Sequence, residues 1–328
     1  MKAITFDQPG GPEVLRLSDV PDPTVPTGDA DWVLVRNFAT ALNRADLLQC
    51  RGLYPPPPGA SEILGLEFAG EILETAPGVT EFRVGDRVFG LLAGGGYAEK
   101  VLTHSRMLLR IPETFSYEAA AALPEAFFTA YENLFTHGLL RDGETVLVHA
   151  GASGVGTAAI QLARRVGATV LATAGSAAKT GRCGELGADE VIDYTATDFC
   201  QRVVEVTDGR GVDLILDMVG AAHWEKNLAS LGTDGRIVVI GLVGGAEVEL
   251  NLATLLTRRL RVIGTTMRGL PLEAKVAITD RFRQHVLPDL ETGKLKAVID
   301  TVFHLDEARA AHERMAANTN VGKIVLRL

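Results

Sequence analysis

The sequence has few cysteines, few aromatic residues and no surplus of positive charge. Its three cysteines, Cys50, Cys183 and Cys200, are widely spaced and odd in number, which excludes a disulfide framework and a cysteine-built metal knuckle. A reducing compartment fits that usage, and the expectation is a cytoplasmic protein. Lysine and arginine total 32 against 41 acidic residues, a formal net charge of -9, with no basic block. That balance argues against a surface that tracks nucleic-acid phosphates. No apolar run reaches bilayer-spanning length, so no membrane partner is expected, and Met1-Lys2-Ala3-Ile4-Thr5-Phe6-Asp7 turns polar too soon for a signal peptide. What is there is ordinary for a globular chain: 47% hydrophobic and 22% charged residues over 328 positions, enough for two separately cored domains.

Roughly the first 120 residues read as short strands between turns, at 32–36, 70–74, 85–90 and 97–101. The run Tyr54-Pro55-Pro56-Pro57-Pro58-Gly59 must be extended, because each proline pushes its predecessor out of the helical region. Residues 118–135 are alanine-rich and helix-compatible. Beyond them, apolar runs at 145–149, 168–173, 190–193, 213–217, 236–240 and 260–265 alternate with helical stretches. Six such strands imply a doubly wound parallel sheet covered on both faces. A helical stretch at 272–292 should be kinked by Pro288, and strands at 297–302 and 323–328 flank a helix at 306–317. This tail is expected to rejoin the first domain, giving a division into 1–122 with 268–328, and 123–267.

The run His149-Ala150-Gly151-Ala152-Ser153-Gly154-Val155-Gly156 follows the first apolar strand and opens a helix. Strand, glycine-rich turn and helix in that order make a phosphate cradle, in which backbone N–H groups and the helix N-terminus face a pyrophosphate. Taken alone the turn fits a plain strand-to-helix connection equally well; the six-strand context favours a Rossmann dinucleotide site. Ser153 replaces the middle glycine of the usual fingerprint. An NAD site places a carboxylate about 20 residues past the turn to bind the ribose 2′-hydroxyl. No Asp or Glu lies between Glu144 and Glu185; Gly175, Ser176 and Lys179 occupy that region, with Arg182 one helical turn on. An ammonium attracts a 2′-phosphate that a carboxylate would repel, so NADPH is favoured, against the plainer reading of Lys179 as a solvated helix residue. Tyr194, closing the third strand, either reaches the adenosine or caps the core. Val219, Gly241 and Leu242, after the fourth and fifth strands, should edge the cofactor, although glycines there also serve as simple turn residues.

The segments Ala41-Leu42-Asn43-Arg44-Ala45-Asp46, Arg51-Gly52-Leu53-Tyr54-Pro55, Leu64-Gly65-Leu66-Glu67-Phe68-Ala69-Gly70, the glycine turn, and Asn318-Thr319-Asn320-Val321-Gly322-Lys323-Ile324-Val325-Leu326 make the whole chain recognisable. It resembles the medium-chain dehydrogenase/reductase superfamily, and within it the zeta-crystallin-like quinone oxidoreductases; the serine-bearing turn is most similar to the tumour-suppressor-inducible subgroup. The resemblance implies a GroES-like, partly open β-barrel domain beside the Rossmann domain, with the active site in the cleft between them. It implies that Lys179 and Tyr194, with Gly175 beside them, hold the 2′-phosphate. Tyr54, Asn43 and Thr129 would lie near nicotinamide and substrate, Asn318 would be a late cofactor contact, and Thr265-Thr266-Met267 would meet the carboxamide. It also suggests a homodimer joined through 260–265, whose open edge would otherwise be a liability.

Zinc-dependent relatives carry a cysteine where Asn43 stands and a histidine where Leu66 stands, together with a four-cysteine lobe. Leucine cannot ligate, and no cysteine occurs between Cys50 and Cys183, so a catalytic zinc is not expected. Glu67 is then read as a structural hydrogen-bonding residue, Asp46 and His149 likewise, and Cys50 as packing. Without a Lewis acid, an electron-poor quinone or enone is the more suitable hydride acceptor. Tyr54 would hydrogen-bond the acceptor oxygen or supply a proton, or else only wall the cleft, and Asn43 would orient the acceptor. Three functions follow: an NADPH:quinone reductase, a reductase of activated C=C bonds such as a 2-alkenal or enoyl thioester, and an NADPH-binding, crystallin-like protein with little turnover.

Overall fold

The computed structural model describes residues 1–28 and 30–328. The chain forms two compact units, Met1–Phe128 with Met267–Leu328, and Thr129–Thr266.

The second unit holds one parallel sheet in the spatial order Glu190–Asp193, Thr169–Ala174, Thr145–Val148, Val212–Asp217, Leu231–Val239, Arg261–Gly264. Numbered along the chain this is the 3-2-1-4-5-6 arrangement of a Rossmann sheet. The central strands Thr145–Val148, Thr169–Ala174 and Val212–Asp217 are buried along most of their length because both faces are covered. Leu147, Leu171, Ile215 and Ile237 share a core with Phe199 and Val203 of the helix Phe199–Val206 and with Trp224 and Leu228 of the helix Trp224–Ser230. The helix Gly154–Arg165 packs on the first two strands. It opens on Ser153, whose Oγ accepts the Gly156 N–H at 3.0 Å and satisfies one of the free first-turn donors. Among the described residues the strand Arg261–Gly264 is the sheet's edge and pairs only with Leu231–Val239.

The first unit is a mainly antiparallel, seven-stranded sheet in the order Ile299–His304, Lys323–Arg327, Trp32–Ala41, Glu67–Thr75, Arg87–Leu91, Leu108–Arg110, with Lys100–His104 also pairing Trp32–Ala41. The C-terminal strand Lys323–Arg327 lies against Trp32–Ala41, so the tail completes a sheet begun almost 300 residues earlier. Val33, Val35, Phe68, Ile72 and Val88 alternate inward along their strands to form its core.

Several elements depart from the sequence reading, each for a local reason. The helix expected over 118–135 is broken into Tyr117–Ala121 and Pro124–Tyr131, because the residue before a proline leaves the helical region. The second piece runs on into a π-helical turn, Glu132–His137. The break in 272–292 falls at Val286, between Leu272–His285 and Leu287–Glu291, and not at Pro288. A proline in the first turn of a helix costs no hydrogen bond, so Pro288 begins the second helix instead of kinking the first. The strand expected at 97–101 starts only at Lys100, and Tyr97 ahead of it is fully buried.

Candidate active site

In the second unit the sequence-selected residues gather at the carboxyl edge of one sheet. Gly175 and Ser176 follow Thr169–Ala174; Tyr194 follows Glu190–Asp193; Val219 follows Val212–Asp217; Gly241 and Leu242 follow Leu231–Val239; Thr265 follows Arg261–Gly264. The strand order reverses between Thr145–Val148 and Val212–Asp217, and a crevice for a ligand opens where such a reversal occurs.

Packing dictates the glycines of the turn. A Cβ on Gly156 would stand 2.3 Å from the Ala150 carbonyl oxygen and 2.7 Å from the Gly151 Cα, both backbone atoms that cannot swing aside. A Cβ on Gly151 would stand 2.9 Å from the Cys183 Sγ and 3.0 Å from the Ala172 Cβ. Gly154 and Val155 form the first turn of the helix, where N–H groups lack intrahelical partners. The Ser153 hydroxyl reaches the Met218 Sδ at 3.4 Å, which ties the turn to the strand on the far side of the switch point.

The loops facing the turn are held from beneath by buried polar groups, Asp217 and Asn227, that the sequence reading did not assign a role, together with His149, which it read as hydrogen-bonding locally. Asp217 accepts the Val219 N–H at 2.7 Å and the Gly220 N–H at 3.2 Å, and takes a further bond from Asn227. Asn227 also meets the His149 Nε2 at 2.6 Å, while the His149 Nδ1 meets the Thr173 Oγ1 at 2.9 Å. Burial holds His149 neutral, with its pKa pushed down to about 4. Fully buried, with both ring nitrogens engaged by Thr173 and Asn227, this histidine ties neighbouring segments together. Two residues far apart in sequence are joined as well: Thr265 donates to the Asn133 Oδ1 at 2.6 Å, and the Asn133 Nδ2 donates to the Thr129 carbonyl at 2.8 Å. Asn133 lies in the π-helical turn, a type of distortion common at functional sites. Periodicity alone gave no sign of it.

The end of the second strand carries the strongest electrostatic signal. The strand bears no carboxylate of its own there; Asp193, in register with Ala174 on the neighbouring strand, accepts the Thr195 N–H and hydroxyl, and the helix Ala177–Glu185 begins at Ser176, whose Oγ accepts the Lys179 N–H. A Cβ on Gly175 would stand 2.5 Å from the Tyr194 hydroxyl oxygen, so the Tyr194 side chain lies over Gly175 and would have to shift for any other residue there. Tyr194 is 42% exposed and is therefore not a core cap. Arg182 is paired with Glu185 at 2.6 Å. These features fit a phosphorylated ribose better than a free 2′-hydroxyl, and the glycine cradle fits a pyrophosphate.

The other candidates belong to the first unit. Asn43 precedes the helix Arg44–Cys50; its N–H donates to Asp46 at 2.7 Å and its Nδ2 to the Glu67 Oε1 at 2.8 Å. The Lys323 ammonium donates to the Asn43 Oδ1 and to the Leu42 carbonyl, and lies 2.8 Å from the Glu67 Oε1. Both ends of the Asn43 amide are thus occupied. Asp46 accepts the Gly65 N–H at 3.0 Å and the Tyr97 hydroxyl at 3.3 Å, and that hydroxyl also meets the His312 Nε2 at 3.1 Å. Burial pushes Asp46 up to about 6. Cys50 is buried, its thiol directed at the Gly11 carbonyl. Asn318 sits just past the helix Ala308–Ala316 with φ of 52°, and Met267 accepts the Leu270 N–H at 3.1 Å.

Tyr54 is half-buried, and its ring lies under the Arg268 guanidinium, 5.3 Å from carbon to ring centroid. Arg268 is locked by Gln49 at 2.6 Å, the Ala93 carbonyl at 2.8 Å and the Tyr54 carbonyl at 3.2 Å. Arg268 was missed because its partners are over 170 residues away. Burial and the nearby Glu125 raise the Tyr54 pKa against the pull of Arg268, so its hydroxyl stays protonated as a hydrogen-bond donor. A metal does not fit here. Asn43 and Leu66 supply no thiolate or imidazole, Glu67 already carries an ammonium, and among the described residues no three His, Cys, Asp or Glu side chains form a metal-binding group. No helix among the described residues is long and apolar enough to cross a membrane.

A dinucleotide-type sheet and a GroES-like sheet in one chain define a two-domain dehydrogenase/reductase. Residues 29–113 match the alcohol dehydrogenase GroES-like domain and residues 154–288 the zinc-binding dehydrogenase family. The chain belongs to the medium-chain dehydrogenase/reductase family. It is similar to a quinone oxidoreductase of Pseudomonas aeruginosa, 35% identical with 99% of each chain covered. Among solved structures, Escherichia coli quinone oxidoreductase complexed with NADPH superposes with a TM-score of 0.90 at 30% identity over 100% of both chains. The CurK enoyl reductase superposes with a TM-score of 0.87 at 29% identity, over 99% of this chain and 98% of that one. The chain also matches a phenolphthiocerol/phthiocerol polyketide synthase of Mycobacterium tuberculosis at 32% identity over 98% of its own residues, and spans only 14% of that protein's length.

Proposed function

We propose that this protein is an NADPH-dependent oxidoreductase that transfers a hydride to a quinone without zinc. The observation that carries the reading is the end of the second Rossmann strand, where Gly175, Ser176, Lys179 and Tyr194 stand in place of a carboxylate. Gly151, Ser153, Gly154, Val155 and Gly156 would cradle the pyrophosphate. Val219, Gly241, Leu242, Thr129, Thr265, Met267 and Asn318 would contact the rest of the cofactor. The bound dinucleotide supplies the hydride from its nicotinamide.

The chain's own residues bind, orient and hold protons. Arg268 fixes the Tyr54 ring and keeps its neutral hydroxyl available to the acceptor oxygen. Asn43, clamped between Glu67 and Lys323, orients that region. It acts as a positioning group, because neither end of its amide is free. A quinone is favoured over a simple ketone because Asn43 and Leu66 supply no ligand for a metal that would stabilise an alkoxide. The open edge of Arg261–Gly264 would pair with a second copy of the chain.

A second reading, reduction of an activated C=C bond, is favoured by the likeness to an enoyl reductase. One assay separates the two. The protein is mixed with NADPH or NADH, and cofactor absorbance is followed with quinones, enals and enoyl thioesters. Quinone turnover with a clear NADPH preference is expected. Turnover of enals or thioesters without quinones would select the second reading, and a preference for NADH would overturn the cofactor assignment.

A further inference from the structure

The proposed function gives His223 no role, although this histidine stands near the carboxyl end of the fourth Rossmann strand, Val212–Asp217. It closes the short helical turn Ala221–His223. The backbone there is fixed from both sides. Asp217 accepts the Gly220 N–H at 3.2 Å, and the His223 N–H donates to the Gly220 carbonyl at 3.0 Å. The Ala221 and Ala222 N–H groups donate to the Gly245 and Gly244 carbonyls at 3.0 and 3.1 Å. A held loop therefore presents the imidazole. The ring is half-buried and sits in a cluster, with centroids 4.7 Å from His149 and 4.9 Å from Phe199. Those two rings are 0% and 3% exposed, so they belong to the core and cannot yield. The His223 Nδ1 is buried without a hydrogen-bond partner among the described residues.

The same imidazole meets Tyr194. Their centroids are 6.1 Å apart and their planes cross at 69°, the edge-to-face arrangement that ring quadrupoles favour. Tyr194 has little else to hold it. It is 42% exposed, and among the described residues its hydroxyl makes no hydrogen bond. That hydroxyl nonetheless stands over Gly175, 2.5 Å from the position of a Cβ there. A half-exposed phenol with a free hydroxyl would otherwise spread over several rotamers, and ordering it as a ligand arrives costs binding energy. The contact with His223 limits that freedom beforehand. Through His149 the support reaches back to the residue that opens the glycine-rich run. One series of rings, His149, His223 and Tyr194, thus joins the pyrophosphate turn to the end of the third strand.

We propose that His223 is a positioning residue for cofactor selection: its ring holds the Tyr194 phenol over Gly175, where the hydroxyl donates to the 2′-phosphate of NADPH. This rests on the NADPH reading above and names what sets the geometry of that site. Lys179 supplies charge, and Tyr194 supplies a directed hydrogen bond. His223 acts through Tyr194 and makes that bond available with less ordering to be done on binding. NADH has no 2′-phosphate, so the support contributes to NADPH alone. Shape and aromatic character carry the role, because the imidazole nitrogen on this side of the fold has no partner to lose. A phenyl ring should replace the imidazole, and an aliphatic side chain should not.

The test measures Kd for NADPH and NADH by fluorescence titration, with no acceptor present. The wild type is titrated first: equal affinities would overturn the NADPH reading itself, and the role of His223 with it. A wild-type preference for NADPH leaves that reading standing whatever the variants do. His223→Leu fills the space without an aromatic ring. Loss of a hydrogen bond to a charged group costs about tenfold, and a phenol left unsupported should forfeit at least about threefold of NADPH affinity while NADH stays within about twofold. His223→Phe should keep both affinities within about twofold of wild type, because the edge-to-face contact survives. Tyr194→Phe removes the hydroxyl, and in that background His223→Leu should bring no further loss, since both act through one bond. Equal losses for the two cofactors in His223→Leu, a smaller change in preference, a His223→Phe variant that behaves like His223→Leu, or additive losses in the double variant would each overturn the inference. Should His223→Leu fail to fold, histidine-ring NMR of the wild type decides. The His223 signals, identified by their loss in His223→Phe, should shift differently with saturating NADP⁺ and NAD⁺; identical shifts would overturn it.

Discussion

Replacing Lys323 with Met tests whether the buried ion pair holds the first unit together. The Lys323 and Glu67 side chains are 5% and 0% exposed, with nitrogen and oxygen 2.8 Å apart. Removing one member of such a pair strands the other charge, which costs about 3–5 kcal/mol. The two single variants should differ. Without Lys323, Glu67 keeps the Asn43 amide and the Glu125 N–H but no cation, with Asp46 and Glu125 nearby. Without Glu67, Lys323 keeps the Leu42 and Asn43 oxygens. Lys323→Met should therefore cost more than Glu67→Gln. The double variant should cost less than Lys323→Met alone, because no unpaired charge remains. The assay is urea unfolding followed by fluorescence. The chain has two tryptophans, Trp32 in the first unit and Trp224 in the second, so a Trp224→Phe background reports on the first unit alone. A loss below about 1 kcal/mol for Lys323→Met, or strict additivity in the double variant, would refute the reasoning.

Lys179→Ala should weaken NADPH binding about tenfold or more, the loss of one charge-assisted contact, and leave NADH nearly untouched in a fluorescence titration; equal losses would remove the assigned role. Gly156→Ala forces a Cβ to 2.3 Å from the Ala150 carbonyl oxygen. It should destabilise the second unit by roughly 1–3 kcal/mol and abolish saturable NADPH binding, as read by urea midpoint and titration. His312 is 1% exposed and burial pushes it down to about 4. The unfolded chain takes up a proton near its ordinary value of about 6.5 and the folded chain does not, so stability is complete above that pH and is lost as pH falls toward 4. The loss is on the order of 3 kcal/mol, and the urea midpoint of His312→Asn should fall less steeply with acid than that of the wild type.

Local chemistry made much of this protein legible. Six β-rich apolar runs separated by helical stretches could settle only as a covered parallel sheet. Gly151 and Gly156 were readable because a phosphate turn leaves little room for Cβ: backbone atoms of Ala150 and Gly151 stand where a Gly156 side chain would go, and the Cys183 and Ala172 side chains where a Gly151 one would. The lack of an acidic residue between Glu144 and Glu185 leaves the second strand's end without a carboxylate of its own, whereas only the sheet places Asp193 in register with Ala174.

What the sequence left undecided depends on partners brought together from far along the chain. Lys323 meets Asn43 across 280 residues and Arg268 meets Gln49 across 219. No periodicity or motif records such pairings. The raised pKa of Glu125 is of the same kind: burial and the Glu67 carboxylate push it up to about 8. A glutamate in the first turn of a helix reads as an ordinary exposed anion. Only the folded chain sets Glu67, with the lysine and the donors it needs, at that same helix end. Sequence thus determined where a nucleotide phosphate would be held, because the cradle is local backbone. Tertiary structure decided where protons and charges reside, because the pKa of a buried group follows from the charges and donors around it.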